Sequence, residues 1–382
     1  MEHKLTALVC PLDWGLGHAS RDILLIRELI NAEFKVILAG DGPSLALLNN
    51  EFPGLQMVKI SSARIAYSHT DSMVLKMLWQ LPRLIGGILR EHRILKKVLA
   101  DTDADLVISD NRFGLWNKKA YSIYITHQLW IKFPKGWRIF ERPVHLLHRL
   151  IISRYNQCWI PDTNHPVYNL GGKLSHIARL PSNSFYAGIF SRFISVLNNP
   201  EMTSSSDYKA DVLVIVSGPE PQRTIFEELM INRLEKLPYK ALIIRGLPGE
   251  QKRQYSSDHI RFKSHLSVEH FHLLLKTAKY VICRSGYSTL MDLVTLGRKA
   301  ILVPTPGQPE QEYLAVYFSE KYNFITCQQN NPDLQKAIEE CDNLNSESIK
   351  RIDTENKLRE IVIRLQKEII QLKNKKHSDH SN

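Results

Sequence analysis

The chain has 382 residues, a length that suggests two domains. Hydrophobic residues make up 43% and charged residues 23%, a balance that excludes collagen-like, low-complexity and wholly disordered chains. The formal net charge is +11, which favours an anionic partner such as a phosphorylated substrate, an anionic membrane or a nucleic acid. The five cysteines are odd in number and widely spaced, which is typical of a reducing compartment.

No segment has the pattern of a leader peptide or a membrane span. The apolar run at the N-terminus is too short for a signal peptide. The most apolar long segment, residues 73–89, is interrupted by Lys76, Pro82 and Arg83. We therefore expect a cytoplasmic protein, either soluble or attached peripherally to the inner face of the cytoplasmic membrane.

Short apolar runs alternate along the chain with longer helical patterns. The predicted strands span residues 5–10, 35–39, 106–109, 122–126, 212–217, 241–245, 280–283 and 299–303. The predicted helices span residues 19–31, 74–99, 224–237, 268–278, 288–296 and 311–321. This alternation predicts an α/β protein with doubly wound parallel sheets, and a site between two domains at the carboxyl ends of the strands.

A polar stretch rich in Ser and Asn near the middle of the chain predicts a linker. We place the N-terminal domain at residues 1–197, the linker at 198–210 and the C-terminal domain at 211–345. In residues 346–382, apolar side chains at 4-3-4-3 spacing predict a last helix that docks on the body, with a short coiled coil as the alternative. These side chains are Leu358, Val362, Leu365, Ile369 and Leu372. From about residue 374 onward we expect disorder.

The first predicted strand leads into a glycine-containing turn and the start of a helix. Gly15 and Gly17 allow backbone N–H groups to approach a ligand, and a helix N-terminus favours negative charge. The dinucleotide fingerprint is not met, because Ser20 stands where its third glycine belongs. Histidine titrates near neutral pH, so His18 is the candidate general base; the alternative is a histidine with only a structural hydrogen bond.

Two more polar residues follow predicted strands of the first domain. Asp110 comes directly after the strand at 106–109, and His127 follows the strand at 122–126. Carboxyl ends of parallel strands meet at the ligand face, so we expect both near His18. A carboxylate beside a histidine fixes its tautomer, and Asp110 is the candidate for that role, with a loop-capping Asp as the alternative. His127 is the candidate acceptor contact, or the base in place of His18.

Two strand–turn–helix junctions lie in the second domain. In the first, Ser217 and Gly218 form the turn, and Arg223 is a candidate clamp for a diphosphate. In the second, residues 283–289 form a tight turn and a helix start, whose free N–H groups favour a phosphate.

Two side chains after the second junction suit a nucleotide sugar. Asp292, about one turn into the helix, can accept both hydroxyls of a ribose, and Gln311 can bond the hydroxyls of a sugar.

The stretch Cys283-Arg284-Ser285-Gly286, with Val303-Pro304 and Gln311 after it, resembles a motif of GT-B glycosyltransferases of the family 28 type. The resemblance covers residues 211–325, and in the first domain it rests on the loop at 15–18. The family includes the peptidoglycan enzyme that transfers N-acetylglucosamine from UDP-GlcNAc to a lipid-linked muramoyl-pentapeptide. The resemblance implies two Rossmann-like domains around a cleft, inversion at the anomeric carbon, and no essential metal or cofactor beyond the UDP-sugar co-substrate.

The resemblance also implies which residues hold the donor. Asp292 stands where the family has a ribose-binding Glu, while Glu312 and Ala315 depart from its second Gln and its Asn. The uracil pocket is implied near Ser267, Val268 and Phe271. The implied donor-binding residues are Gly15, Gly17, Ser217, Gly218, Arg223, Arg284, Ser285, Gly286, Ser288, Thr289, Asp292, Gln308, Gln311 and Glu312. The His18–Asp110 pairing resembles the His–Asp arrangement of related small-molecule glycosyltransferases.

Basic residues are concentrated in two segments of the first domain, 73–99 and 130–154, among Leu, Ile, Trp and Phe. Such a mixture suits an anionic membrane surface. We hypothesise that this domain docks on a membrane to reach a lipid-linked or cell-envelope glycan acceptor. The alternative is a stripe that faces the core and carries a solvated basic face.

These patterns predict an inverting, metal-independent glycosyltransferase that moves a hexose or N-acetylhexosamine from a UDP-sugar, with UDP-GlcNAc favoured, to an acceptor hydroxyl. The alternatives are a non-catalytic or partner-dependent UDP-sugar-binding subunit and a UDP-sugar epimerase. Nucleic acid is not an expected partner, because no known nucleic-acid-binding motif is present.

Overall fold

The computed structural model describes residues 4–62, 73–198, 209–249, 257–344, 347 and 349–380. In these ranges the strands form two parallel sheets flanked by helices, so the predicted α/β class is confirmed. One sheet precedes the predicted linker and the other follows it. The linker itself falls largely outside the described residues.

The first sheet has the strand order β3-β2-β1-β4-β5-β6-β7. Its strands are β1 (Thr6–Pro11), β2 (Lys35–Gly40), β3 (Gln56–Lys59), β4 (Leu106–Asp110), β5 (Tyr121–Ile125), β6 (Gln157–Ile160) and β7 (Ser184–Tyr186). Strands β3, β6 and β7 were not predicted. β3 is an exposed edge strand, β6 begins with the polar residue Gln157, and β7 has only three residues. Pro11 pairs with Asp110 in the register of β1 and β4, which brings the loop after β1 close to that carboxylate.

The second sheet has the strand order β10-β9-β8-β11-β12-β13. Its strands are β8 (Val212–Ile215), β9 (Ala241–Ile244), β10 (Ile260–Lys263), β11 (Tyr280–Cys283), β12 (Ile301–Leu302) and β13 (Ile325–Thr326). The two edge strands, β10 and β13, were not predicted, because they lack the continuous apolar run of a central strand.

Helices connect the strands on both faces of each sheet. They are α1 (Gly17–Asn31), α2 (Gly42–Glu51), α3 (Met73–Thr102), α4 (Glu141–Ile152), α5 (Ile194–Leu197), α6 (Gln222–Leu234), α7 (Val268–Thr277), α8 (Tyr287–Thr295), α9 (Pro309–Tyr322), α10 (Leu334–Asp342) and α11 (Leu358–His380). Short 3₁₀ helices span Lys135–Phe140, Gly172–Leu174 and Ile349–Arg351. Each of the six predicted helices is present, and α2, α4, α5 and α10 are additional. Among the described helices none is long and apolar enough to cross a membrane.

The last helix, α11, returns to the first half of the chain. Its side chains Leu358, Val362, Leu365 and Ile369 are buried in the same apolar core as α1, whereas Leu372 is exposed. Tyr121 at the start of β5 donates to Glu368 at 2.7 Å. α11 runs to His380 and so includes residues 374–380, where the sequence predicted disorder.

The two halves meet where α1 and α8 begin. Ser288 donates from Oγ to the carbonyl oxygen of Gly17 at 2.7 Å, and Tyr287 donates to the carbonyl of Pro161 at 2.8 Å. Since both helices follow central strands of their sheets, the carboxyl edges of the two sheets face a common cleft.

Candidate active site

A cavity of about 290 Å³ lies at the meeting point of α1 and α8. Its walls come from loops and helix N-termini of both halves. The predicted site residues that line it are Gly15, Gly17, His18, His127, Ser217, Gly218, Gly286, Ser288, Thr289, Gln308 and Gln311. Phe271 of the implied uracil pocket also lines it, whereas Ser267 and Val268 do not.

Glycine is required where the two halves approach each other. Gly15 has φ +104°, a conformation that residues with a side chain rarely adopt. A Cβ on Gly17 would lie 3.3 Å from the hydroxyl oxygen of Ser288. The loop after β1 can therefore pass close to the N-terminus of α8.

The start of α8 presents the N-terminus of a helix to the cavity. Gly286, Ser288 and Thr289 line the cavity around the first turn of this helix, whose backbone N–H groups lack partners within the helix. Lys132 and Arg192 add positive charge to the walls. This end suits the phosphates of a nucleotide.

His18 and Asp110 lie together beside the cavity, as predicted from their positions after β1 and at the end of β4. The Nδ1 atom of His18 is 3.1 Å from Oδ1 of Asp110. Asp110 is fully buried, yet Arg21 and His18 outweigh the effect of burial and hold the pKa of this carboxyl below its usual range. An ionised Asp110 can orient a histidine that takes a proton.

Arg21 was not predicted to belong to the site. Its Nε donates to Oδ2 of Asp110 at 2.7 Å, and its Nη2 donates to Oδ1. It lies at i+3 from His18 on α1, so a helical projection of the sequence would have placed both side chains on one face.

Asp22, the next residue, is fully buried, and no donor in the described structure reaches either of its carboxyl oxygens. Burial, and after it the charge of Asp110, raises the pKa of Asp22 well above its usual value. The raised pKa favours the protonated acid, a form that can donate to Asp110.

His127 links the first half of the chain to the second. Its ring stacks on Tyr287 with 4.0 Å between centroids, and its Nε2 lies 2.7 Å from Oε1 of Glu310 in the first turn of α9. Burial lowers the pKa of His127, although Glu310 opposes the shift. The sequence analysis missed Glu310 because its partner is 183 residues away in the sequence. Its position next to Gln311, a predicted donor-binding residue, was the one local indication that it belongs to the site.

Several predicted donor contacts have other partners. Arg223 pairs with Glu220 and with Glu227, whose Oε2 accepts from Nη1 at 2.7 Å, so the expected diphosphate clamp does not line the cavity. Glu227 is at i+4 on the same helix, where an ion pair forms readily.

Arg284 is also directed away from the cavity. Its guanidinium is fully buried over the ring of Phe226, at 4.2 Å, and donates to the carbonyl oxygens of Val303 at 3.0 Å and Gln222 at 3.1 Å. Burial lowers the pKa of Arg284 to about 9. This side chain fastens β12 to α6 rather than contacting a ligand.

Ser285 and Glu312 stabilise loops at the edge of the site. The hydroxyl of Ser285 donates to the carbonyl of Gln311 at 2.8 Å, and Oε1 of Glu312 accepts from the backbone N–H of Gly307 at 2.8 Å. Gln311 itself faces the cavity and accepts from the N–H of Thr305 at 2.9 Å. Glu312, where the family has a second Gln, is exposed and does not line the cavity.

Asp292 lies behind the cavity wall. Its oxygens accept from Ser191 Oγ at 2.7 Å and from Arg192 Nε at 3.0 Å, so the first half of the chain covers this carboxylate. Arg192 in turn lies over the ring of Phe271, at 4.7 Å. Burial raises the pKa of Asp292 even though Arg192 opposes it.

No three His, Cys, Asp or Glu side chains among the described residues are grouped so as to hold a metal ion.

The chain is similar to known glycosyltransferases in sequence and in fold. Residues 222–369 match the family model described as the glycosyltransferase family 28 C-terminal domain. An uncharacterized glycosyltransferase of Methanosarcina acetivorans is 24% identical over 332 residues, which cover 83% of this chain and 84% of that relative.

Two solved structures share the fold over almost the whole chain. The glycotransferase of kitacinnamycin superposes with a TM-score of 0.63 at 15% identity, covering 97% of this chain and 99% of that one. MurG of Acinetobacter baumannii superposes with a TM-score of 0.53 at 12% identity, covering 96% and 100%. MurG is thus one of several structural neighbours and is not distinguished among them. The GT-B fold and the expectation of a glycosyltransferase are confirmed, and residues 222–369 are similar to the glycosyltransferase family 28 C-terminal domain.

Proposed function

We propose that the protein transfers a hexose or N-acetylhexosamine from a UDP-sugar, with UDP-GlcNAc favoured, to an acceptor hydroxyl, with inversion at the anomeric carbon. The observation that carries the proposal is His18, which is paired with Asp110 and lines the same cavity as the N-terminus of α8. A candidate base and a candidate site for the leaving diphosphate thus lie in the same cleft.

The donor is proposed to extend from the second half toward α1. The phosphates of the donor would lie at Gly286, Ser288 and Thr289, and its uracil ring near Phe271. The sugar would then face Gln311 and Glu310, which line the cavity at the start of α9. For Asp292 to accept from the ribose hydroxyls, Arg192 has to move away from it.

The chemistry requires one proton transfer and one displacement. Nε2 of His18 takes the proton of the acceptor hydroxyl while the oxygen attacks the anomeric carbon from the face opposite UDP. The bond from that carbon to the diphosphate oxygen breaks, and UDP leaves with the electron pair. Asp110 stabilises the imidazolium that forms, and the N–H groups of α8 stabilise the charge on UDP. Because these groups stabilise the leaving group, we expect transfer to proceed in the presence of EDTA.

The acceptor is proposed to be lipid-linked, because the first half of the chain carries an exposed apolar face. On α4, only His148 and Ile152 are buried. The outward-facing apolar side chains are Ile139 (78% exposed), Leu146 (62%), Leu147 (58%) and Leu150 (65%), which we call the α4 face. The alternative of a stripe that faces the core does not describe these residues.

Three exposed arginines, Arg138, Arg142 and Arg154, lie in the same segment of the sequence as the α4 face. Exposed apolar side chains together with arginines suit an anionic lipid bilayer. Lys132, Phe133 and Pro134 line the cavity and directly precede this segment, so an acceptor held in the bilayer would lie near the site. In the other basic segment, residues 73–99, the side chains of residues 73–81 lie outside what the structure describes.

A turnover assay tests the proposal. The protein is incubated with UDP-GlcNAc or UDP-hexoses and a panel of polyprenyl-linked acceptors in anionic vesicles, and the release of UDP is measured. Acceptor-dependent release of UDP that is lost in His18→Ala supports it. Conversion of the UDP-sugar to its epimer without acceptor would favour the epimerase, and donor binding without turnover would favour the non-catalytic subunit.

A further inference from the structure

Arg21 is a buried guanidinium, 2% exposed, at the centre of the candidate site. Two of its nitrogens form a fork on the two oxygens of Asp110. A third, Nη1, lies 3.1 Å from Nδ1 of His127. Nη2 also lies 3.0 Å from Nδ1 of His18, so Arg21 contacts the candidate base, its carboxylate and the second histidine.

The fork determines how Asp110 meets His18. Because both carboxylate oxygens are held, Asp110 cannot rotate, and Oδ1 stays 3.1 Å from Nδ1 of His18. A carboxylate only accepts hydrogen bonds, so when Nη2 of Arg21 donates to Oδ1 of Asp110, Nδ1 of His18 can carry its hydrogen toward the same oxygen, and Nε2 is left able to take a proton. If Nδ1 instead accepted from Arg21, Nε2 would carry the hydrogen and could not act as a base.

The position of Arg21 depends in turn on the second half of the chain. A guanidinium only donates, so Nδ1 of His127 accepts from Arg21 and Nε2 carries its hydrogen. That Nε2 then donates to Glu310 of α9 at 2.7 Å, and Tyr287 of α8 stacks on the ring. Helices α8 and α9, which flank the proposed donor site, therefore fix the imidazole of His127, and His127 in turn accepts from Arg21.

We propose that Arg21 is the positioning residue that sets the tautomer of His18, and that Glu310 acts through His127 to keep Arg21 in place. This inference rests on the proposed role of His18 as base. On this proposal, His18 has the tautomer of a general base only while the two halves of the chain are in contact. Glu310 then influences catalysis from the donor side without contacting His18.

Histidine-selective ¹⁵N NMR of the free protein tests the first step without any substrate. The His18→Gln variant assigns the signal. We expect the wild type to show the Nδ1–H tautomer of His18, and Arg21→Lys, which keeps the charge but cannot form the fork, to shift the population toward Nε2–H. A wild-type tautomer in folded Arg21→Lys would overturn the proposal.

Arg112→Lys is the matched control. Arg112 is another buried arginine, 2% exposed, that donates from Nε at 3.3 Å and Nη2 at 3.1 Å to Glu91. It does not line the cavity between the two halves. Its variant should leave the His18 signal unchanged; an equal change in both variants would mean a general effect of removing a buried arginine, which overturns a specific role for Arg21.

Kinetics test the link to Glu310. We expect Arg21→Lys to lower kcat about 100-fold with the donor Kd unchanged, since a misplaced base loses general base catalysis. Glu310→Gln should lower kcat by about tenfold. The double variant should have a kcat no lower than that of Arg21→Lys, because the effects of residues in one hydrogen-bonded series are not additive. Losses that multiply in the double variant would overturn the link.

The two proposals fail in different ways. If the wild type turns over no UDP-sugar, the proposed function fails, while the tautomer measurement still decides the role of Arg21. If the wild type is active and Arg21→Lys keeps its kcat, the positioning role fails alone. Glu310, whose side chain is 21% exposed, provides a second variant if Arg21→Lys does not fold.

Discussion

Arg192 donates from Nε to a carboxylate oxygen of Asp292 at 3.0 Å, so a side chain from the first half of the chain covers an acid of the second. Ser191 holds the other oxygen at 2.7 Å. The acid expected to bind a ribose is therefore paired with two side chains, and a ribose that bound to it would have to replace them.

Asp292→Asn tests this exchange. If Asp292 takes the ribose hydroxyls, the amide loses charged hydrogen bonds worth about 1.5–3 kcal/mol, and the Kd for UDP rises about 10- to 100-fold. Calorimetric titration with UDP measures it, and Asp342→Asn, a change at an exposed carboxylate beside Tyr280, is the control. An unchanged Kd in folded Asp292→Asn would remove Asp292 from the donor site.

His18→Ala should remove the general base and leave donor binding unchanged. We expect kcat to fall about 10²- to 10⁴-fold, the usual contribution of general base catalysis, with an unchanged Kd for UDP. His259→Gln, a change at a histidine that bonds the carbonyl of Leu234, should keep wild-type kcat. A fall in donor affinity with kcat retained would show that His18 binds the donor rather than the acceptor proton.

Asp22→Asn should remove a pH dependence of stability. The pKa of Asp22 is raised by burial, so above pH 4 the folded chain binds a proton that the unfolded chain does not. The free energy of unfolding of the wild type therefore falls as pH rises, by up to about 1.4 kcal/mol per pH unit, until the raised pKa is passed.

Asparagine cannot ionise, so Asp22→Asn gains stability over the wild type as pH rises from 5 to 8. Urea unfolding at each pH measures the difference. The pKa of Asp110 is lowered, so its contribution to the free energy of unfolding is lost only below about pH 4, outside the range from pH 5 to 8. The exposed Asp101→Asn is the control. A difference between variant and wild type that does not change with pH would mean that Asp22 is ionised in the folded chain.

The α4 face should be required for membrane binding. Leu146→Ser, Leu147→Ser and Leu150→Ser together remove three exposed apolar side chains without touching the core. We expect the wild type to sediment with anionic vesicles at low salt and the triple variant to stay in solution. Donor binding should be unchanged. Equal sedimentation of both proteins, or none of the wild type, would contradict the proposed docking.

The sequence predicted the central strands other than β6, and the His18–Asp110 pair, for the same reason. Buried parallel strands form continuous apolar runs, and polar residues at their carboxyl ends meet at one edge. The edge strand β3 escaped prediction because it is exposed and has no such run. The contact of His127 with Glu310 was not predicted, because no local sequence pattern indicates a contact between two residues from opposite halves of the chain.

Motif positions predicted the place of the donor site better than the direction of its side chains. Gly286, Ser288 and Thr289 line the cavity through the start of α8. Arg284 lies in the loop before α8 and Arg223 in the first turn of α6, yet they pair with the carbonyl of Val303 and with Glu227. Burial and local pairing, which a motif does not encode, decide where a long side chain points.

Calorimetric titration of the wild type with UDP, UDP-GlcNAc, UDP-hexoses, GDP-mannose and dTDP-sugars tests the central claim most directly. Binding of a nucleotide in the cavity of the folded chain must also raise the melting temperature. We predict that UDP and UDP-sugars bind, with UDP-GlcNAc tightest among the sugars, and that the other nucleotides bind more weakly. Binding of none of these nucleotides would contradict a nucleotide-sugar transferase.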